Sequence, residues 1–360
     1  LLLGFVAAYV LWVDFYDGSL RQEAIDLMNI FPPLAVVVLC IVAFYRAGKG
    51  RVRWFWLFVG LGHLCAALAE STWAFYELVL HVEAPFPSTA DLYWLLFYPL
   101  CLAGIFVLVS WRGGGRLSTA ATVLDALLFA AAAAAVLWEL VIQPGLDPAA
   151  GLLGNAVTVF YPAGDVLLLV GLASLALGQA RVALPKGIGW LSFAFLVTFA
   201  ADIGYSILEN AGTYLTGSWV DPLWPLAYVL AGLAALAYLR NASSAVLETE
   251  EKSHLLAALG SDWPERLRMW LPYLVVPSVG VLLFVHFLGR SDSSSTEDAV
   301  IIASALGLVT LVLLRQIVVV TEKRRLETSL TRLSRELEAR VSELALEQDH
   351  LAQLNAVAVE

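Results

Sequence analysis

The sequence predicts an all-α fold: a polytopic membrane helix bundle of about ten spans, with internal hairpin repeats, continuing into a cytoplasmic parallel coiled coil. Three observations predict it. The 360 residues are 60% hydrophobic and only 14% charged, with a mean hydropathy of +0.79. Soluble domains carry about 25% charged residues, and no soluble fold of this length hides so much apolar surface. Of the 21 Lys and Arg, all but Arg21 and Arg290 fall in every second loop between apolar stretches or in the C-terminal tail. This is the positive-inside pattern, which sets orientation as well as span number. Finally, the last apolar stretch runs directly into a charged segment with leucines at heptad spacing, as in a coiled-coil seam.

The spans fall at 1–13, 31–46, 54–77, 90–111, 117–140, 156–178, 187–209, 219–239, 269–289 and 298–321. The first is short for a bilayer, which needs about 20 residues, and reads as a truncated span. Basic loops follow the second span (Arg46, Lys49, Arg51, Arg53), the fourth (Arg112, Arg116), the sixth (Arg181, Lys186) and the eighth (Arg240, Lys252, Arg266, Arg268). The intervening loops are acidic or neutral. Ten spans place both termini in the cytoplasm. The linker 241–268 is the one long inner loop. Within it, Glu248 to Leu259 reads either as a surface helix closed by Gly260 or as a solvated connection. Residues 1–321 thus form the membrane bundle and 322–360 the coiled coil.

The formal charge of −10 makes nucleic acid an unexpected partner. Cys40, Cys65 and Cys101 all sit within apolar stretches and read as small core residues. The chain has no zinc spacing, nucleotide-binding glycine motif or nucleophile elbow, and Arg112-Gly-Gly-Gly-Arg116 lacks the Lys-Ser/Thr of a phosphate loop. No cofactor, metal or catalytic site is expected. His63 and His286 lie well inside spans, but two histidines without a companion motif favour interhelical hydrogen bonding over haem.

Spans three and four contain Glu70-x-x-Trp73-x-x-x-Glu77 and then Asp91-x-x-Trp94-x-x-x-Tyr98. Spans seven and eight contain Asp202-x-x-Tyr205-x-x-x-Glu209 and then Asp221-x-x-Trp224-x-x-x-Tyr228. Phe160-Tyr161-Pro162 of span six echoes Phe97-Tyr98-Pro99 of span four, so tyrosines recur every 63 to 67 residues. The expected units are hairpins at 54–111, 117–178 and 187–239, repeated in one orientation. The middle one matches least.

Acids inside hydrocarbon are costly, at about 2.5–3.5 kcal/mol on insertion scales, and face the bundle interior. Glu70, Asp125, Asp165 and Asp202 are such acids, while Glu77, Glu139, Glu209, Asp91 and Asp221 fall near outer span ends. Asp165 follows Tyr161 by four residues and shares its helix face. Two readings stand side by side. In one, Glu70, Trp94, Tyr98, Tyr161, Asp165, Asp202, Tyr205, Trp224 and Tyr228 line an outward pocket for a small cation, amine or lipid headgroup. In the other, the acids accept hydrogen bonds from Tyr and Trp and lock the helices together. Pro99, Pro162 and Pro225 beside these aromatics read as hinges or as tolerated kinks.

Beyond Val320, Leu330, Leu337, Leu344 and Leu351 form one heptad line and Leu326, Leu333 and Leu354 its companion. Arg340 and Glu347 interrupt the seam, and polar residues there weaken a coil and fix its register. Residues 322–357 would project roughly 54 Å at 1.5 Å per residue. The simplest partner is a second copy, related by a two-fold axis along the membrane normal.

Together these features resemble the polytopic N-terminal sensor regions of bacterial multidomain signalling proteins, which precede GAF, histidine-kinase or GGDEF/EAL domains. The carriers are Ala90-Asp91-Leu-Tyr-Trp94-Leu-Leu-Phe-Tyr98-Pro99, Phe160-Tyr161-Pro162-Ala-Gly-Asp165, Ala201-Asp202-Ile-Gly-Tyr205 and Asp221-Pro-Leu-Trp224. The end, from Leu351 to Glu360, looks like the lead-in to a GAF domain. The resemblance implies a bacterial inner (cytoplasmic) membrane location, an unidentified small-molecule or lipid stimulus, dimerisation, and a histidine-kinase or diguanylate-cyclase output beyond residue 360. Transport of ions or small solutes through the intramembrane acids is the competing expectation.

Overall fold

The computed structural model describes residues 4, 9, 21–82, 84–108, 116–177, 186–215, 217–244, 280 and 295–357. Among these, eight long helices follow one another: α1 (Arg21–Arg46), α2 (Arg51–Ala74), α3 (Thr89–Leu108), α4 (Arg116–Leu137), α5 (Gly151–Leu177), α6 (Ile188–Asn210), α7 (Leu223–Ser244) and α8 (Ser295–Val357). Seven of them contain stretches long and apolar enough to cross a membrane, and Ala130–Gly145 is a shorter apolar helix at the end of α4. The protein is therefore an all-α, multi-pass membrane bundle. A backbone crossing hydrocarbon must satisfy its own N–H and C=O groups, which helices do. The spans expected at 1–13 and 269–289, the linker helix Glu248–Leu259 and His286 lie outside the described residues, as do Arg112 to Gly115.

Several boundaries differ from the sequence expectation. Helix α1 already includes Arg21, ten residues before the expected start at 31, with Glu23 in the first described turn and Pro32 and Pro33 inside it. An acid in the first turn suits the positive end of the helix dipole, and membrane helices tolerate proline where neighbouring helices pack closely. Pro99 and Pro162 likewise lie within α3 and α5, whereas Pro225 falls in the first turn of α7, where a missing N–H is harmless. Helix α2 continues through a π-turn at Phe75–Val79, and α4 through another at Trp138–Ile142 before a last turn, Gln143–Gly145. Each π-turn contains Glu-Leu-Val, at Glu77 and at Glu139.

Helix α2 packs on α1 and α3, α7 on α6 and α1, α5 on α3, α4 and α6, and α8 on α4. The main core joins Val36 of α1, Phe55 and Trp56 of α2, Cys101 of α3, Leu168 of α5, Leu191 of α6 and Ala231 of α7. At Gly62 the α2 backbone comes so close to α3 that a Cβ would lie 2.6 Å from Cys101 Sγ, the kind of approach small residues permit in membranes. Helix α8 joins through a smaller cluster in which Ala305 and Leu308 meet Leu128 and Ala132 of α4. On α1, Phe31, Leu34, Val38 and Ile41 remain exposed, an apolar stripe suited to lipid.

The two ends of the bundle differ in charge. Arg46, Lys49, Arg51 and Arg53 surround the α1–α2 turn. There the Arg53 guanidinium stacks 4.2 Å from the centre of the Phe44 ring. Lys186 at the start of α6 donates to Asn241 Oδ1 near the end of α7, at 3.0 Å, so it belongs to this same end. The opposite end carries Asp91 in the first turn of α3, and Asp147 and Asp221 in its connections. One residue corrects the expected pattern: Arg315, counted with the basic tail, lies in the body of α8 and is only 4% exposed.

Helix α8 is continuous for 63 residues, about 95 Å at 1.5 Å per residue. Beyond Val320 it is exposed wherever its side chains are described, including Leu330, Leu333, Leu337 and Leu344 at 55–66%. The side chains of Leu326, Leu351 and Leu354 lie outside the described residues.

Candidate functional site

Helices α2, α3, α6 and α7 each place one acid or one Trp–Tyr pair near the middle of the acidic half. The Trp and Tyr of a pair are four residues apart, so they stack on one helix face. On α3 these are Trp94 and Tyr98; on α7 they are Trp224 and Tyr228. Trp224 Nε1 donates to Asp202 Oδ1 at 2.7 Å, and Tyr98 OH donates to Asp202 Oδ2 at 3.2 Å. Tyr228 OH donates to Glu70 Oε1 at 3.1 Å, and the Trp94 indole comes up to the same carboxyl. Each acid thus meets the tryptophan of the helix that follows it and the tyrosine of the other hairpin. The exchange is reciprocal: α2–α3 and α6–α7 each supply what the other's acid accepts.

Helix α5 adds Tyr161 and Asp165. Tyr161 OH donates to Asp91 Oδ1 at 2.8 Å, while Asp91 Oδ2 accepts from Ser88 N and Ser88 Oγ at 2.7 and 2.9 Å. The Tyr98 and Tyr161 rings meet edge to face at 6.4 Å. Asp165 is 2% exposed and lies against the Asp202 carboxyl and Tyr98. Its neighbour Gly164 lets Tyr98 in: a Cβ there would sit 2.6 Å from the ring. Tyr205 packs at 4.8 Å on Tyr214 and at 6.0 Å on Trp224. All nine residues expected to form the site therefore belong to one connected acid–aromatic network. The Asp125 side chain lies outside the described residues.

Some members were not expected. Asp91 and Asp221, placed by sequence at outer span ends, are 6% and 3% exposed. Asp221 accepts from Tyr214 OH at 3.0 Å and from the Gly217 amide at 2.5 Å. In this connection outside the spans, burial and the Asp221 carboxylate push the Tyr214 phenol up, so it remains a donor. Asp26 is 7% exposed and faces Glu77 across the α1–α2 contact. Drawing the span from residue 31 left Asp26 in a loop; following the helix back to Glu23 would have found it. His63 is buried, with Nδ1 donating to Val59 O at 2.8 Å and the Phe97 and Tyr228 rings 5.4 and 6.1 Å away.

Tyr and Trp can donate to a carboxylate, which can accept from several donors at once. Bonds of this kind to a charged group contribute about 1.5–3 kcal/mol each where water is excluded. The arrangement can therefore hold five helices in one setting, and any ligand or proton that competes for a carboxyl shifts that setting. Among the described residues, no group of three His, Cys, Asp or Glu could hold a metal ion.

No protein-family model matches the chain, and neither a curated protein nor a solved structure is detectably similar to it.

Proposed function

We propose that this chain is the membrane sensor and signal-transmission module of a bacterial signalling protein. The observation that carries this reading is α8. One unbroken helix leaves its contact with α4 in the bundle and runs on as an exposed, leucine-seamed rod. A helix of this length is a mechanical link, and a seam of exposed leucines needs a partner. The partner in this reading is a second copy, paired in parallel on the cytoplasmic side through Leu326, Leu330, Leu333, Leu337, Leu344, Leu351 and Leu354. A histidine kinase or diguanylate cyclase coupled to the stalk would read its rotation or register.

The stimulus acts at the acid–aromatic network. The reciprocal exchange between Glu70 and Asp202, and the Glu-Leu-Val sequence in both π-turns, support hairpins repeated at 54–111, 117–178 and 187–239. A ligand that takes one carboxyl from its Tyr or Trp donors changes how the hairpins pack. Helix α4 packs on both α5 and α8, so such a shift has a path to the stalk. Bistable packing of this kind is how small movements become switches.

The test is a register change. One residue inserted within 322–350 rotates everything beyond it by about 100°. Attached to a register-sensitive kinase or cyclase, the variant should invert or lock output, while insertion of a whole heptad should restore it. Unchanged output in the one-residue insertion contradicts the reading. The buried acids also favour ion or small-solute transport; substrate flux in liposomes would support that alternative, and the sensor reading expects none.

A further inference from the structure

Asp165, like Asp26 beside Glu77, brings its carboxyl against another acid. It is 2% exposed, and its Oδ2 has no hydrogen-bond donor among the described residues. What it faces is the Asp202 carboxyl on the neighbouring helix. The Tyr98 hydroxyl beside the pair is committed to Asp202 Oδ2 and the Trp224 indole to Asp202 Oδ1. Two ionised carboxylates held together in a water-poor interior repel each other strongly, whereas one carboxylic acid and one carboxylate form a charge-assisted hydrogen bond. None of the groups these two carboxyls meet is a cation. The pair supplies only two carboxyls, and no three-residue metal group exists among the described residues.

The geometry points to Asp165 and Asp202 as a proton-binding site, in which one exchangeable proton shared by the two carboxyls fastens α5 to α6. The proton sits between the Asp165 Oδ2 and the nearer Asp202 oxygen; when it leaves to water as hydronium, two like charges remain and the helices part. The titratable and polar groups around the pair are Tyr98 from α3 and Trp224 from α7. One step further lie Tyr161 with Asp91, Tyr205, and Tyr228 with Glu70. Glu139 of α4 sits at the acidic end of that helix. The site does not depend on the signalling reading. If the stalk carries no signal, the proton lock stands, and if the lock fails, α8 is unaffected.

The experiment compares the full chain with Asp165→Asn and Asp202→Asn, each purified in nanodiscs, by thermal unfolding from mildly acidic to alkaline pH. An amide donates to the remaining carboxylate at every pH, so each variant keeps the hydrogen bond without the exchangeable proton. The sign follows from where the proton is held. The native pair retains it and the separated groups in the unfolded chain do not, so wild-type stability falls as pH rises through the release of the proton. The variants should show a flatter profile, the difference amounting to about one proton per chain. Parallel profiles in wild type and both variants overturn the assignment.

Infrared spectroscopy reads the same proton without relying on a variant that folds. In aspartate-labelled Asp26→Asn protein, an acid carbonyl band should shift in heavy water and fade as pH rises. Absence of that band across the range overturns the assignment.

Discussion

The acidic half of the bundle and the stalk of α8 invert each other's chemistry. In the bundle, polar groups are buried and find their partners within one chain: Asp202 with Trp224 and Tyr98, Glu70 with Tyr228, and Asp91 with Tyr161. In the stalk, apolar groups are exposed, and Leu330, Leu333, Leu337 and Leu344 find none in the same chain. The stalk's described ion pairs, Lys323–Glu327 and Arg332–Glu336, are exposed i,i+4 pairs that contribute about 0.3–0.5 kcal/mol each. These bundle acids thus meet their donors within one chain, whereas the described leucines of the stalk stay exposed. In the proposed reading, a signal that begins in the first ends by changing the second.

The comparison breaks most completely at the seam. Leu330→Asp with Leu337→Asp should abolish pairing of the stalk, since loss of even one buried leucine side chain costs about 2–5 kcal/mol. Cross-linking in native membranes should fall to background while the bundle keeps its thermal unfolding profile. Next is Glu70→Gln with Asp202→Asn. An amide nitrogen turned toward a Tyr or Trp donor loses a charge-assisted bond worth about 1.5–3 kcal/mol, so a lowered unfolding temperature with intact membrane insertion is expected. The stimulus response should vanish, and wild-type signalling in this variant would make the network a purely structural lock.

Gly164→Val tests the close approach of α5 to the Tyr98 ring. Overpacking there should cost about 1–3 kcal/mol and weaken the Tyr98–Asp202 bond, seen as a change in tyrosine near-ultraviolet circular dichroism. The smallest effect belongs to Tyr98→Phe. Asp202 keeps Trp224 and the Tyr98–Asp202 bond is long at 3.2 Å, so the loss lies at the low end, about 1.5 kcal/mol, and the unfolding temperature moves only slightly.

Much of this architecture was legible in the residues. Hydropathy located each long apolar helix that the structure describes, and the acid and aromatic spacing singled out nine residues that do meet. Residue spacing alone did not reveal who pairs with whom. That Tyr98 reaches Asp202, 104 positions away, depends on how α3 and α6 pack, which no local pattern encodes. The π-turns at Phe75–Val79 and Trp138–Ile142 alter hydrogen bonding without altering composition, so a hydropathy reading passes over them. Asp26 was hidden by the two prolines that follow it, because Pro32-Pro33 reads as a helix boundary although α1 runs through it. Arg315 was hidden by its nearness to the basic tail.

The most direct test of a bundle driving a paired stalk is a cysteine scan from 322 to 350, with disulfide formation between copies measured in native membranes. Cross-linking should rise and fall with a period of about 3.5 residues, peaking on the face of Leu330, Leu333, Leu337 and Leu344 and changing in strength when Asp202→Asn is introduced in the bundle. Cross-linking that is absent, or uniform around the helix and indifferent to Asp202, contradicts the account.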